Sequence, residues 1–289
     1  RGQGGLLDVA LHPRFAENGL VYLSYAARGE GGVGTEAARG RLVNHRLEDV
    51  KVLFRQQPKS SGGRHFGSRL VFDRQDQLYI TLGDRGEMAR AQKLDDLAGK
   101  IVRLTADGQI PTDNPFVNQA GVRPEIYSLG NRNVQGAALH PITGELWTHE
   151  HGPQGGDEVN VIRAGRNYGW PVITYGVNYG GGAIGEGHAK EGLEQPLHYW
   201  DPSIAPSGLM VYSGALVPGW KGDVFTGSLN SDFLARLDPE SSAPSGWLEE
   251  RLNAAETGRV RDVAEAPDGS IWFLSVTAGA VFRLAPAGG

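Results

Sequence analysis

One phrase recurs along this chain and constrains its fold more than any other feature. Asp8-Val9-Ala10-Leu11-His12-Pro13 is echoed by Ala137-Ala138-Leu139-His140-Pro141 and again by Asp262-Val263-Ala264-Glu265-Ala266-Pro267-Asp268-Gly269. Stretches with the apolar and aromatic character of strands recur after turn signals: Leu20 to Tyr25, Gln77 to Leu82, Glu145 to His149, Asp223 to Gly227 and Ser270 to Val276. A strand, turn, strand unit returning at roughly fifty to eighty residues is what propeller blades with loop insertions produce, because a small sheet must stack on its neighbours to bury its faces. The predicted fold is an all-β propeller, and a six-bladed ring would need strands N-terminal to Arg1. A β-sandwich with coincidental hairpins is the alternative, and the internal recurrence argues against it. The 43 glycines and 16 prolines, with no collagen-like period, suit many short strands joined by turns.

The 289 residues read as a single propeller domain, 1–289. The Gly-rich stretch from Gly176 to Gly187 is too short for a domain boundary and reads as a long surface loop, a place where binding residues often lie. Ala89 to Leu97 has the weak pattern of a short helical turn. A formal charge of -5 offers no broad basic surface for phosphate, so nucleic acid is not an expected partner. No stretch approaches the ~20 apolar residues that span a bilayer, and a soluble protein is expected. The absence of cysteine removes disulfides, thiolate zinc sites and cysteine nucleophiles while leaving the redox compartment open. The chain opens at Arg1-Gly2-Gln3 with no methionine, charged leader or hydrophobic segment, so any targeting segment is expected upstream.

The densest polar signal is Leu129-Gly130-Asn131-Arg132-Asn133-Val134-Gln135-Gly136, followed by Glu150-His151-Gly152-Pro153-Gln154-Gly155-Gly156-Asp157-Glu158-Val159-Asn160 and Asn167-Tyr168-Gly169-Trp170-Pro171. An arginine among asparagines and glycines gives planar, permanently charged hydrogen bonding where backbone can approach a ligand closely, which suits carboxylates or an oxygen-rich substrate. Gly152, Pro153, Asp157 and Glu158 supply the carbonyl and carboxylate oxygens that a hard cation such as Ca²⁺ prefers. His149 and His151 could share one side of a strand, but two imidazoles fall short of a zinc site.

Taken in order, Gly2-Gln3-Gly4-Gly5-Leu6-Leu7, Arg64-His65-Phe66-Gly67, Leu82-Gly83-Asp84-Arg85-Gly86, Arg132-Asn133 and Arg259-Val260-Arg261-Asp262-Val263 resemble the motifs of the soluble glucose and aldose sugar dehydrogenases that use pyrroloquinoline quinone (PQQ). The resemblance runs across nearly the whole chain. It implies a six-bladed propeller holding PQQ and Ca²⁺, an aldose substrate oxidised at its anomeric carbon to a lactone, an external electron acceptor, and a periplasmic or secreted location.

By that resemblance His65 matches the general base, and its chemistry fits, since an imidazole titrates near neutrality and can accept a hydroxyl proton. Asp84 matches the carboxylate that orients it, as in a triad; otherwise it is an Asx-turn residue serving its own loop. Arg132 and Asn133 match positions contacting cofactor and substrate, with the guanidinium suited to charge developing on quinone oxygens. Arg259 and Arg261, on alternate positions of an expected strand, would form a cationic clamp for cofactor carboxylates, or simply an exposed strand surface. Gln3 and Tyr179 match positions near the cofactor. Gly152 and Pro153 match carbonyls that hold a cofactor-bridging calcium, and Glu158 with the Tyr168 carbonyl matches a second, structural ion. One departure stands out: family members commonly carry a lysine where Gly227-Ser228-Leu229-Asn230 offers Asn230, which can donate a hydrogen bond but brings no charge. A calcium-dependent propeller lactonase or hydrolase, and a non-catalytic propeller binding sugar or protein, are the competing readings.

Overall fold

The computed structural model describes residues 2–241 and 246–286. The chain divides into two compact units, and each is described by itself.

The first unit takes in residues 1–134, 162–174 and 181–195. It holds two four-stranded antiparallel meanders: β1 (Leu6–Leu11), β2 (Leu20–Gly29), β3 (Gly32–Val43) and β4 (Arg46–Arg55), then β5 (Leu70–Phe72), β6 (Gln77–Thr81), β7 (Lys100–Thr105) and β8 (Ile126–Leu129). Alternation in β6 and β7 drives the packing: Leu78, Ile80 and Val102 are fully buried and join Tyr22, Leu70, Leu82 and Ile126 in one core. A buried leucine of this kind contributes about 1.5–3 kcal/mol through area removed from water. Tyr22 keeps its polar end satisfied by donating its hydroxyl to the Ala106 carbonyl at 2.8 Å.

The second unit takes in residues 135–161, 175–180 and 196–289. Its sheets are β9 (Val134–Leu139), β10 (Leu146–Glu150), β11 (Asp157–Ile162) and β12 (His198–Trp200); β13 (Pro206–Val211), β14 (Val224–Ser228), β15 (Leu234–Asp238) and β16 (Leu248–Leu252); and the three-stranded β17 (Val260–Glu265), β18 (Ile271–Ser275) and β19 (Ala280–Leu284). Trp147, Val159, Leu209 and Phe233 anchor one core, and Met210, Phe225, Val263 and Phe273 another.

Five such sheets, each following chain order or its reverse from one edge to the other, make the chain an all-β propeller with five blades among the described residues. The recurring phrase now has a location. Its three occurrences fall on β1, β9 and β17 and the turns after them, each the first strand of its sheet in sequence. The five apolar stretches fall on β2, β6, β10, β14 and β18, the second strand of every sheet. Three first strands share a further device: pairing slips by one residue between Leu6 and Asp8, between Ser207 and Leu209, and between Val260 and Asp262. Such a bulge bends the strand and turns the preceding side chain out of the ladder's alternation. The helical turn expected near Ala89 is a 3₁₀ turn, Met88–Gln92. Segment 176–187 carries no strand or helix, as a loop should.

Candidate active site

In the first unit the approaches to β5 and the loop leaving β6 run side by side. Gly83 allows it: a Cβ there would lie 2.1 Å from the His65 carbonyl oxygen and 2.4 Å from its carbon, so only glycine lets the two backbones touch. The result is a buried couple, His65 Nδ1 to Asp84 Oδ1 at 2.6 Å. Asp84 is fully buried, and its Oδ1 also accepts the Gly86 amide at 2.6 Å while Oδ2 accepts the Trp170 indole N–H at 2.8 Å. Burial alone would push this carboxyl up, but the hydrogen bonds from His65, Gly86 and Trp170 hold it below the usual aspartate value. An ionised carboxylate only accepts, so Nδ1 carries the proton and a neutral His65 keeps Nε2 as its basic nitrogen. Desolvation lowers the His65 pKa, with Arg132 and Arg64 adding to it, against the raising influence of Asp84. His65 is therefore neutral at pH 7, the state a general base needs.

The backbone around this couple is strained. His65 has φ +56° and Arg85 φ +61°, left-handed values that non-glycine residues adopt rarely and that gather at functional sites. Gln3 helps to hold the first of these, its Oε1 accepting the His65 amide at 2.8 Å. Asn133 Oδ1 accepts the Gly67 amide at 3.2 Å, and the Arg132 carbonyl accepts the Asp84 amide at 2.8 Å. Arg132 is 6% exposed, and its guanidinium lies 5.4 Å from the centre of the Trp170 ring. The structure thus brings Gln3, His65, Asp84, Arg132 and Asn133 into one hydrogen-bonded neighbourhood of the first unit. Tyr168, also in this unit, is buried, and its hydroxyl oxygen accepts the Arg163 amide at 2.8 Å.

The remaining candidates lie in the second unit. Gly152 sits where a Cβ would meet the carbonyl oxygens of Gly155 and Gly156 at 2.2 and 2.3 Å, so the 152–156 turn is lined with backbone oxygen. Pro153 is buried in the same turn. Asp157, which the sequence groups with the cation ligands, is spent on structure: Oδ1 accepts the Gly152 amide, and Oδ2 accepts Ser203 Oγ and the amides of Ile204 and Ala205. Glu158 is different. Desolvation first, then the charges of Glu150 and Asp157, push its carboxyl up to about 8, with only the Asn160 amide working in the other direction. Among the described residues no three histidine or acidic side chains are placed to hold a metal together. The Gly152 turn offers backbone carbonyls and Glu158 a carboxylate, both hard oxygen donors.

Tyr179 is 73% exposed. Asn230 is committed locally: its Nδ2 donates to the Ser203 carbonyl at 2.9 Å and its Oδ1 accepts Ser231 Oγ at 2.8 Å. Arg259 and Arg261 do not follow simple strand alternation, because Arg259 lies before β17 with φ +41° and the pairing slip falls at Arg261. Arg259 is exposed and Arg261 half-buried. His149 and His151 each present Nε2 to a backbone carbonyl at 2.7 Å, of Gly208 and Pro206 respectively. Several candidates share one address: Gln3, His65, Arg132 with Asn133, and Arg259 all lie within five residues ahead of the first strand of a sheet.

The profile of the glucose/sorbosone dehydrogenase family matches residues 1–283. The chain belongs to that family. The aldose sugar dehydrogenase of Escherichia coli (strain K12) is 43% identical over 99% of this chain and 78% of its own length. A crystal structure of a glucose dehydrogenase superposes with TM-score 0.94 at 47% identity, covering 99% of this chain and 84% of the other. The PQQ-bound aldose sugar dehydrogenase from Streptomyces coelicolor superposes with TM-score 0.76 at 29% identity, covering all of this chain and 78% of the other. Membership makes this chain an oxidoreductase of the sugar dehydrogenase type. No helix among the described residues is long and apolar enough to cross a membrane.

Two residues of this family member escaped sequence reasoning. Trp170 is 86 positions from the Asp84 carboxylate to which it donates, and only its place in a polar Gly-Trp-Pro phrase hinted at a role. Arg85 is 2% exposed, with its guanidinium 3.5 Å over the Phe66 ring and donating to the carbonyls of Gly62 and Arg64, and burial lowers its pKa to about 10. It clamps the His65 segment from beneath. Nothing in the Gly-Asp-Arg-Gly sequence distinguishes such an inward arginine from a solvated one.

Proposed function

We propose that the protein oxidises aldose sugars at C1 to lactones, using PQQ and calcium and delivering the electrons to an external acceptor. The observation that carries this reading is the buried His65–Asp84 couple, with a neutral imidazole beside a buried guanidinium. In this reading His65 Nε2 takes the proton of the C1 hydroxyl, and Asp84 stabilises the imidazolium that results. Arg132, held over Trp170, offers positive charge where oxygen becomes anionic. Bound PQQ would supply the two-electron oxidant that accepts the C1 hydrogen with its electron pair.

Of the proposed PQQ contacts, Gln3, Arg132 and Asn133 lie in the first unit, where cation and amides suit a flat, carboxylate-bearing quinone, and Tyr179, Asn230, Arg259 and Arg261 lie in the second. Asn230 takes the place of the usual lysine there, and its local commitments suit a neutral contact. Calcium would rest on the carbonyls of Gly152 and Pro153, and Glu158 would supply the carboxylate of a second ion. The desolvated Glu158 carboxyl supports a nearby cation, which would restore its ionised form. The same reading extends to a single six-bladed catalytic domain. Leu6, Val9 and Leu11 on β1, and Trp272, Leu274 and Val281 on β18 and β19, are exposed apolar side chains that a further blade would bury. A periplasmic or secreted location accords with an enzyme that takes PQQ from its surroundings.

Reconstitution with PQQ and CaCl₂, followed by an assay of aldose-dependent dye reduction, tests the proposal. Turnover that depends on both additions is expected. Cofactor binding without turnover, or lactone hydrolysis with no requirement for PQQ, would overturn it.

A further inference from the structure

Trp170 is held from every side. Its amide donates to the Gly130 carbonyl at 2.9 Å, its carbonyl accepts Gln92 Nε2 at 2.7 Å, and its side chain is 4% exposed, packed with Ala91 and Ile184. An indole fixed this firmly has one polar atom, and that atom points at Asp84 Oδ2. We infer that Trp170 is a positioning residue for sugar oxidation: by occupying Oδ2 it leaves Oδ1 to His65 and the Gly86 amide, and its ring carries Arg132. The inference rests on His65 being the base.

The indole N–H acts on both the orientation and the charge of Asp84. A carboxylate held at one oxygen only can rotate about its Cβ–Cγ bond and exchange the oxygens it shows to the imidazole. The Trp170 N–H removes that freedom. It also draws on the negative charge that Asp84 shares with His65, which keeps the imidazole from becoming too willing to stay protonated. The charged groups facing the couple are Arg132 and Arg64 around His65, and Arg85 beside Asp84. None of them donates to Oδ2 in place of the indole.

Trp170→Phe removes the N–H while keeping an aromatic ring for Arg132. With His65 as base, kcat should fall about tenfold, within the ~10²–10⁴-fold that general base catalysis supplies. The acid limb of the pH profile should move up by about half a unit, because an unshared Asp84 charge stabilises the imidazolium. Ile184→Ala, which loosens the same packing without touching Asp84, should lower Tm and leave the limb in place. A W170F enzyme with unchanged kcat and limb, or an I184A enzyme with the same shift, overturns the inference.

NMR titration of the His65 ring in the apoprotein separates this inference from the functional reading. If the wild type shows no PQQ-dependent turnover, an upward His65 shift in W170F still sustains the role of Trp170, and an unmoved titration refutes it. Should W170F not fold, the wild type decides. A Trp170 indole N–H protected from exchange, and shifted by Asp84→Asn, supports the contact, and rapid exchange refutes it.

Discussion

Replacing Asp84 by asparagine is the most searching test of the site, because the geometry determines which way the new amide must turn. Three donors converge on the carboxylate: His65 Nδ1–H and the Gly86 amide on Oδ1, and the Trp170 indole on Oδ2. An amide has one accepting oxygen. With that oxygen in the Oδ1 place, two donors are satisfied and the new NH₂ opposes only Trp170. The reverse orientation sets the NH₂ against Gly86 and forces His65 into the tautomer with its proton on Nε2. The first arrangement prevails, at a cost of about 1–3 kcal/mol for one buried unsatisfied donor contact. Because the tautomer is retained and the charge lost, kcat should fall by ~10²–10³-fold, short of the ~10⁴ seen when a triad histidine takes the wrong tautomer. Asp84 raises the His65 pKa through both its hydrogen bond and its charge. Losing the charge therefore lowers that pKa further below 6.5, and the acid limb of the rate profile moves to lower pH, opposite to the shift expected of W170F. Dye-coupled kinetics between pH 4.5 and 8.5 on reconstituted enzyme, alongside thermal melts, would measure both effects. A kcat within threefold of wild type, or a limb moving upward, would refute the reasoning.

Three further predictions follow from close approaches and buried charge. Gly83→Ala places a Cβ 2.1 Å from the His65 carbonyl, so the His65 segment must move by about 1 Å; kcat should fall ~10²-fold with a modest change in Tm, and an active variant would show that the contact is dispensable. Lys100 is fully buried, donates to the carbonyls of Arg90 and Ala98 at 2.9 and 2.7 Å, and has its pKa lowered to about 7, chiefly by desolvation. Between about 7 and 10.5 the unfolded chain holds a proton that the folded one has released, so wild-type stability should rise relative to Lys100→Met across that range, by at most ~1.4 kcal/mol per pH unit; denaturant melts at pH 7 and 9.5 that keep a constant difference would contradict this. Gly152→Ala drives a methyl into the carbonyls of Gly155 and Gly156 and should weaken the proposed calcium site at least tenfold by calorimetry, whereas unchanged affinity would refute that placement of the ion.

The sequence made the blades legible because period and turn chemistry are local properties. The five apolar stretches required no knowledge of distant contacts, and each falls on the second strand of a sheet. His65 and Asp84 were readable as a pair only through the ordered family motifs, since 19 positions separate them and the glycine that lets them meet looks like any turn glycine. What stayed hidden was the direction of side chains in irregular backbone. Asp157 and Glu158 are neighbours of the same charge, yet the first is consumed by Ser203 and the amides of Ile204 and Ala205 far along the chain, while the second is desolvated beside Glu150. Arg259 and Arg261 looked like partners on one strand surface until the slip in pairing at β17 removed the alternation on which that reading depended.

The shared address of Gln3, His65, Arg132 with Asn133, and Arg259, each just ahead of the opening strand of its own sheet, has an evolutionary consequence. These groups hang from different sheets, yet Gln3 and Asn133 accept backbone amides of the His65 segment, so a change at one address is felt at the next. Selection must then revise such addresses together, and segments exchanged between relatives should carry activity across only when the bracing partners travel with them.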